Sequence, residues 1–149
     1  MVTEEYKKKR DFKKTPEPAG GEVRPSGELP QFVVHKHQAS HLHWDLRLEM
    51  DGVLKSWAVP KEPALEPGIR RLAVQVEDHP MDYGTFEGTI PDGEYGAGTV
   101  EIWDHGQYEL QKRESEKIEF SLGGRKMNGP YVLIHTRGKN WIFLKRKQG

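Results

Sequence analysis

Residues 31–50, QFVVHKHQASHLHWDLRLEM, alternate so regularly between ionisable and apolar side chains that the local geometry follows from the pattern. From His41 the odd positions are His41, His43, Asp45, Arg47 and Glu49, and the even ones Leu42, Trp44, Leu46, Leu48 and Met50. Successive side chains of a β-strand point to opposite faces, so this segment is expected to form a strand with one ionisable and one apolar face. Upstream, Phe32 and Val34 share one face and His35 and His37 the other. Imidazole nitrogen and carboxylate oxygen are donors that divalent transition metals accept, so two imidazoles and a carboxylate from these stripes can converge on one ion. The alternative is a solvated strand face.

The same two-residue period recurs along the chain. Strands are expected over residues 31–37, 41–50, 53–59, 71–77, 99–103, 117–122, 131–136 and 141–147. Asp51-Gly52 between two alternating runs is a strong hairpin signal. Glycines from Gly96 to Gly138, Gly106 among them, read as punctuation between short strands. No segment carries a 3.6-residue stripe, so helices are expected to be few and short. Residues 1–30 are rich in Lys, Glu, Pro and Gly and too poor in apolar groups to fold alone, which makes them a strap or tail on a domain spanning 31–149. The expected fold is all-β, a compact closed barrel, because closure removes exposed sheet edges. Arg71, Gln75, Glu77 and His79 alternate with Leu72, Val74 and Val76 as a second polar stripe. If both stripes face inward, the barrel holds a hydrophilic pocket that needs a ligand, since buried unpaired charge is costly. The turn His79-Pro80-Met81-Asp82-Tyr83 can aim an imidazole and a phenol at that same place.

Composition narrows the function classes. The chain has 149 residues and no cysteine, which fits one domain, excludes a thiolate metal site or cysteine nucleophile, and suits a reducing cytoplasm. No apolar run approaches a membrane span. Formal net charge is zero with 31% charged residues, so any anion-binding surface has to be local. Residues 137–149 carry Arg137, Lys139, Lys145, Arg146 and Lys147 without an acid, a modest basic patch. The lysines between Lys7 and Lys14 form a charge run that is either solvated or set against phosphates.

Taken in order, a set of linked motifs resembles the 3′-phosphoesterase domain of DNA ligase D, a family that also has free-standing members. These motifs are Arg10-Asp11-Phe12 with Thr15-Pro16-Glu17-Pro18, Lys36-His37, and His41-Leu42-His43-Trp44-Asp45-Leu46-Arg47. Further on come Trp57-Ala58-Val59-Pro60-Lys61, Glu77-Asp78-His79-Pro80, Tyr83, and Gly93-Glu94-Tyr95-Gly96. The resemblance implies a β-barrel with a hydrophilic interior and a Mn²⁺-dependent enzyme, with Co²⁺ or Zn²⁺ as possible substitutes. Its substrate would be the 3′ end of a DNA or RNA primer-template in non-homologous end joining. Carried over position by position, His37, His43 and Asp45 correspond to metal ligands, and Arg47, His79 and Tyr83 to groups holding the scissile phosphate. Lys61, Arg71 and Glu77 correspond to further polar positions of the site. Arg10, Asp11 and Glu17 correspond to an N-terminal element tied to ribonucleoside removal. The sequence departs from the family at His35, where Gln is common, and His41 stands where His and Arg interchange.

The implied reactions are removal of a 3′-terminal ribonucleoside to leave a 3′-phosphate, then hydrolysis of that phosphate to a 3′-hydroxyl. A monomer is expected, with a DNA ligase, a polymerase or end-binding repair proteins as partners and no membrane. Two other readings compete: a cupin-like small-molecule metalloenzyme, which would need a further Glu and a late His such as Glu49 with His105 or His135, and a non-catalytic module binding nucleic-acid ends. A diester substrate extends past the scissile phosphate and a monoester does not, so the N-terminal element should matter more for the first reaction. Deleting residues 1–18 is expected to depress ribonucleoside removal while a 3′-phosphatase remains measurable; equal loss of both, with the barrel folded by circular dichroism, would contradict this.

Overall fold

The computed structural model describes residues 29–90 and 97–147, and Arg10, Asp11, Glu17 and the lysine run lie outside them. Among the described residues nine strands form one antiparallel sheet: β1 (Gln31–Gln38), β2 (Leu42–Met50), β3 (Val53–Val59), β4 (Arg71–His79), β5 (Gly88–Ile90), β6 (Gly98–Arg113), β7 (Lys117–Gly123), β8 (Asn128–Arg137) and β9 (Asn140–Lys145). Their order is β1-β2-β3-β4-β9-β8-β7-β6-β5, and β6 also pairs with β1, so eight strands close into a barrel with β5 added to the edge of β6. The expected closed all-β barrel is present. Among the described residues the helical element is a 3-10 turn, Met81–Thr85, and no helix is long and apolar enough to cross a membrane.

The Asp51-Gly52 pair turns the first hairpin with φ of 56° and 80°, the positive values a two-residue type I′ turn requires. It thereby sets the register of β2 against β3, Arg47 opposite Ser56 and Asp45 opposite Ala58. All eight barrel strands contribute to one apolar cluster that includes Phe32, Leu46, Trp57, Tyr108, Phe120 and Phe143, so this cluster fills the lumen. Each fully buried side chain of this size stabilises the fold by about 1.5–3 kcal/mol. The ionisable faces of β1 and β2 consequently look out of the lumen. They are buried outside the lumen, not in the hydrophilic barrel interior that was expected, because the 3-10 turn and Phe86 fold over them: the His35 ring, fully buried, touches Tyr83 at 5.3 Å and its Nε2 lies 3.1 Å from the Phe86 carbonyl.

Two further sequence expectations are corrected. The stripe Arg71, Gln75, Glu77, His79 does not lie on one face, because β4 bulges against β3: Gln75 pairs with Trp57 and Val76 with Ser56, but His79 pairs with Leu54. The extra residue reverses the alternation. Gln75 therefore turns to the lumen, where its Oε1 accepts from Trp141 Nε1 at 3.2 Å, while His79 joins the face of Ser56. Gly106 does not end a strand. It lies inside β6, which runs on to Arg113, and a Cβ there would collide with the Gly123 carbonyl of the neighbouring β7, so glycine permits the close approach.

Candidate metal and phosphate site

His37 and Asp45 sit on neighbouring strands, with His37 opposite His43 and His35 opposite Asp45 in the β1–β2 register. His37, His43 and Asp45 each present one donor atom, all within 4.8 Å of one another. His37 Nδ1 is 3.7 Å from Asp45 Oδ2, and His43 Nε2 is 3.3 Å from Asp45 Oδ1. The other ring nitrogens are oriented by backbone: His37 Nε2–H donates to the Ala97 carbonyl at 3.2 Å and His43 Nδ1–H to the His41 carbonyl at 3.1 Å. A backbone carbonyl that fixes the tautomer in this way aims the opposite lone pair at a metal. With bonds of about 2.1 Å, two donors in a tetrahedral set lie about 3.4 Å apart, so both His–Asp separations already suit a divalent cation and the trio has to draw in by about an ångström at its widest.

Protons compete for the same place. Burial works against the Asp45 anion, but hydrogen bonds from His37 and His43 and the Arg47 charge outweigh it and hold the carboxyl far below the usual carboxylate range. The Asp45 hydrogen bond raises His43 against the effect of its burial. A cation displaces that proton, so its affinity rises with pH.

Arg47 stands beside the trio and is 3% exposed. Its Nε donates to His35 Nδ1 at 3.1 Å and its Nη1 to Ser56 Oγ at 2.8 Å. Nη1 also lies 3.1 Å from His79 Nδ1, and Nη2 is 3.4 Å from Asp45 Oδ2. The Ser56 hydroxyl donates to the Leu54 carbonyl at 3.1 Å, so it receives from Arg47 as an acceptor. The guanidinium lies 4.9 Å from the Tyr83 ring centre, and the His79 and Tyr83 rings are 4.8 Å apart. His37, His43, Asp45, Arg47, His79 and Tyr83 all line one pocket of about 880 Å³, whose other wall includes Ala58, Val76 and Ile90. The arrangement can hold a cation and an oxyanion side by side, with a fixed positive charge, an imidazole and a phenol around the anion.

The sequence pattern of the DNA ligase D 3′-phosphoesterase domain matches residues 35–135. The chain belongs to that family. It is 52% identical over 155 residues to the multifunctional non-homologous end joining protein LigD of Pseudomonas aeruginosa, across 97% of this chain and 18% of that protein. It is 46% identical over 153 residues to the protein of the same name from Mycolicibacterium smegmatis, across 95% of this chain and 20% of that one. The chain thus spans about a fifth of the length of the curated relatives it matches. Membership of the 3′-phosphoesterase domain family is what the linked motifs implied.

Not every position carried over by resemblance meets in this pocket. Lys61 is exposed in the β3–β4 connection, Arg71 Nε donates to the Glu62 carbonyl at 2.8 Å, and the Glu77 side chain is exposed; none of the three lines the pocket. Glu77 contributes its carbonyl instead, 3.1 Å from His79 Nδ1. The residues a cupin would require stay apart from the trio: Glu49 Oε1 accepts from the Gln31 amide, His105 is exposed, and His135 packs on Trp141. Two groups that sequence reasoning undervalued are His35 and Ser56, the anchors of Arg47. Ser56 was within reach of the sequence, because the Asp51-Gly52 turn alone pairs it with Arg47.

His35 has a pH consequence. Arg47 Nε can only donate, so His35 Nδ1 must accept and the ring must be neutral. Burial first, and Arg47 second, lower its pKa from 6.5 to about 4. Protonation therefore opposes folding, so the contribution of about 3 kcal/mol is present above the unfolded value and lost as pH falls from about 6.5 to 4. His35→Gln, which keeps one acceptor and one donor without a titrating group, is expected to flatten the fall in melting temperature between those pH values. An unchanged slope would contradict this account.

Proposed function

We propose that the chain is a metal-dependent phosphoesterase acting on 3′ ends of DNA or RNA, removing a terminal ribonucleoside to leave a 3′-phosphate and hydrolysing that phosphate to a 3′-hydroxyl. The observation that carries the reading is the convergence of His37, His43 and Asp45 beside the buried Arg47. His37, His43 and Asp45 would hold the metal; the resemblance to the family favours Mn²⁺, and a set of two imidazoles and one carboxylate also accepts Co²⁺ or Zn²⁺. A bound divalent cation would polarise a phosphate oxygen and lower the pKa of a coordinated water. Arg47 supplies a charge that cannot be titrated away, held rigid by His35, Ser56 and Asp45, so its field requires no rearrangement as charge develops.

His79 is neutral in the free protein, its pKa lowered to about 4 by burial and by Arg47. An anionic phosphate bound between them offsets the Arg47 charge and raises the imidazole again, which suits His79 to protonate the departing oxygen. Burial raises the Tyr83 phenol above its usual value, so it stays protonated and donates to a phosphate oxygen. One set of groups serves both reactions, because both place phosphate oxygens at the same centre. The test is incubation of the purified protein with Mn²⁺ and a labelled primer ending in a single ribonucleotide. Sequential appearance of 3′-phosphate and 3′-hydroxyl ends, abolished by a chelator, is expected; binding without either product would leave an end-binding module instead.

A further inference from the structure

The basic stretch of residues 137–147 has no part in the pocket, and the fold divides it. Lys145 and Arg146 lie at one end of the β8–β9 hairpin, where Lys145 Nζ donates to the Leu65 carbonyl at 3.3 Å and Arg146 pairs with Glu119 at 3.5 Å. Arg137 and Lys139 flank Gly138 in the turn at the other end, both exposed and neither with a carboxylate partner among the described residues.

That turn stands against the pocket wall. Asp45 is opposite Ala58, Ala58 opposite Val74, and Val74 opposite Asn140. Three strand spacings, about 14 Å, therefore separate the turn from the nearest of the proposed ligands. The Gln75 amide donates to the Lys139 carbonyl at 2.7 Å, and the next residue, Val76, already lines the pocket. The ground between is uncharged: Ala58, Val74 and Val76. The turn is also stiff, since Thr136 Oγ1 donates to the Asn140 carbonyl at 2.9 Å and His135 Nε2–H to the Gly138 carbonyl at 2.7 Å, with the His135 ring 4.9 Å from Trp141. Two exposed cations on a preorganised support, on a chain of zero formal charge, mark a local anion site.

We infer that Arg137 and Lys139 hold backbone phosphates of the substrate strand on the 5′ side of the reacting phosphate, so that the strand leaves the pocket across β4 toward the β8–β9 turn. The inference rests on the phosphoesterase reading of the pocket. At about 3.4 Å of rise per nucleotide, 14 Å spans roughly four nucleotides of stacked strand, fewer when the side chains reach back. Both residues lie beyond the stretch that the family pattern covers, residues 35–135.

The test is fluorescence anisotropy of a labelled primer-template with a 3′-phosphate, titrated in chelator at several KCl concentrations, together with steady-state phosphatase kinetics in Mn²⁺. Arg137→Ala with Lys139→Ala is expected to weaken binding roughly tenfold and to reduce the slope of log Kd against log salt by about 1.4–1.8, two phosphates' worth. KM should rise with kcat unchanged, and the difference should vanish for a dinucleotide substrate. Arg125→Ala with Lys126→Ala, at the opposite end of β8, should leave all of these as in the wild type. Unchanged affinity and slope in the first variant, or equal loss in the second, overturns the inference. Salt-dependent binding through Arg137 and Lys139 without phosphate release would instead sink the phosphoesterase reading and leave this surface standing.

Discussion

His43→Ala is expected to abolish Mn²⁺ binding and to lower both ribonucleoside removal and 3′-phosphatase activity by more than about a hundredfold, beyond the 10–100-fold typical of losing a residue that only orients a metal ligand. His43 is the suitable ligand to remove, because its side chain is 25% exposed whereas those of His37 and Asp45 are buried. Its loss takes away one donor and the proton that Asp45 otherwise shares, but leaves the lumen untouched. The fold should therefore survive, with an unchanged circular dichroism spectrum. Removing Asp45 would confound the result, since its carboxylate also faces Arg47 and its loss leaves a buried cation uncompensated, at a cost of about 3–5 kcal/mol. Asp45 stabilises the fold above the ordinary carboxylate pKa of about 3.9, and that contribution is lost as pH falls through the depressed folded value. Binding is read by the loss of the free Mn²⁺ electron paramagnetic resonance signal. Full activity with metal still bound in His43→Ala would remove the trio from the chemistry.

How much of this was legible in the sequence depends on which interactions are local. The alternation over residues 31–50 gave both faces of β1 and β2, and one turn dipeptide fixed β2 against β3, so His43, Asp45, Arg47 and their shared face needed no long-range information. His37 joins them because β1 folds back over three residues onto β2. His79 reached the right pocket by a route the alternation hid. A strict two-residue period places it with Gln75, and the bulge after Val76 sends the two to opposite sides of the sheet. The extra residue lies between Val76 and His79, where Glu77 and Asp78 stand and no glycine announces a bulge. The length of β6 was hidden for a related reason: Gly106 reads as a break, whereas a close approach to β7 keeps it in the strand. Closure of the barrel through β1 and β6, about seventy residues apart in sequence, follows only from the requirement that no edge remain.

Arg47→Lys is the variant that separates a phosphate clamp from an internal ion pair. Arg47 serves His35, Ser56, His79 and Asp45 with nitrogens fixed in one plane, and an ammonium on a flexible stem cannot reach the same partners together. Its charge would still compensate Asp45, so the barrel should stay folded with a modest loss of stability. The geometry offered to phosphate oxygens would be gone. Removing one well-placed donor from an anionic transition state costs about 10²–10³ in kcat, and a loss of that size is expected here with Mn²⁺ affinity close to the wild type. Arg47→Met should lose activity too, with a larger drop in stability, because Asp45 is then left buried with its cationic partner removed and His35 and His79 without their donor. Measuring kcat, Mn²⁺ affinity and melting temperature on the three proteins distinguishes the roles. If Arg47 only balances Asp45, activity will track stability across the series and Arg47→Lys will hydrolyse phosphate nearly as fast as the wild type; a clamp predicts that Arg47→Lys is stable, binds metal and is slow.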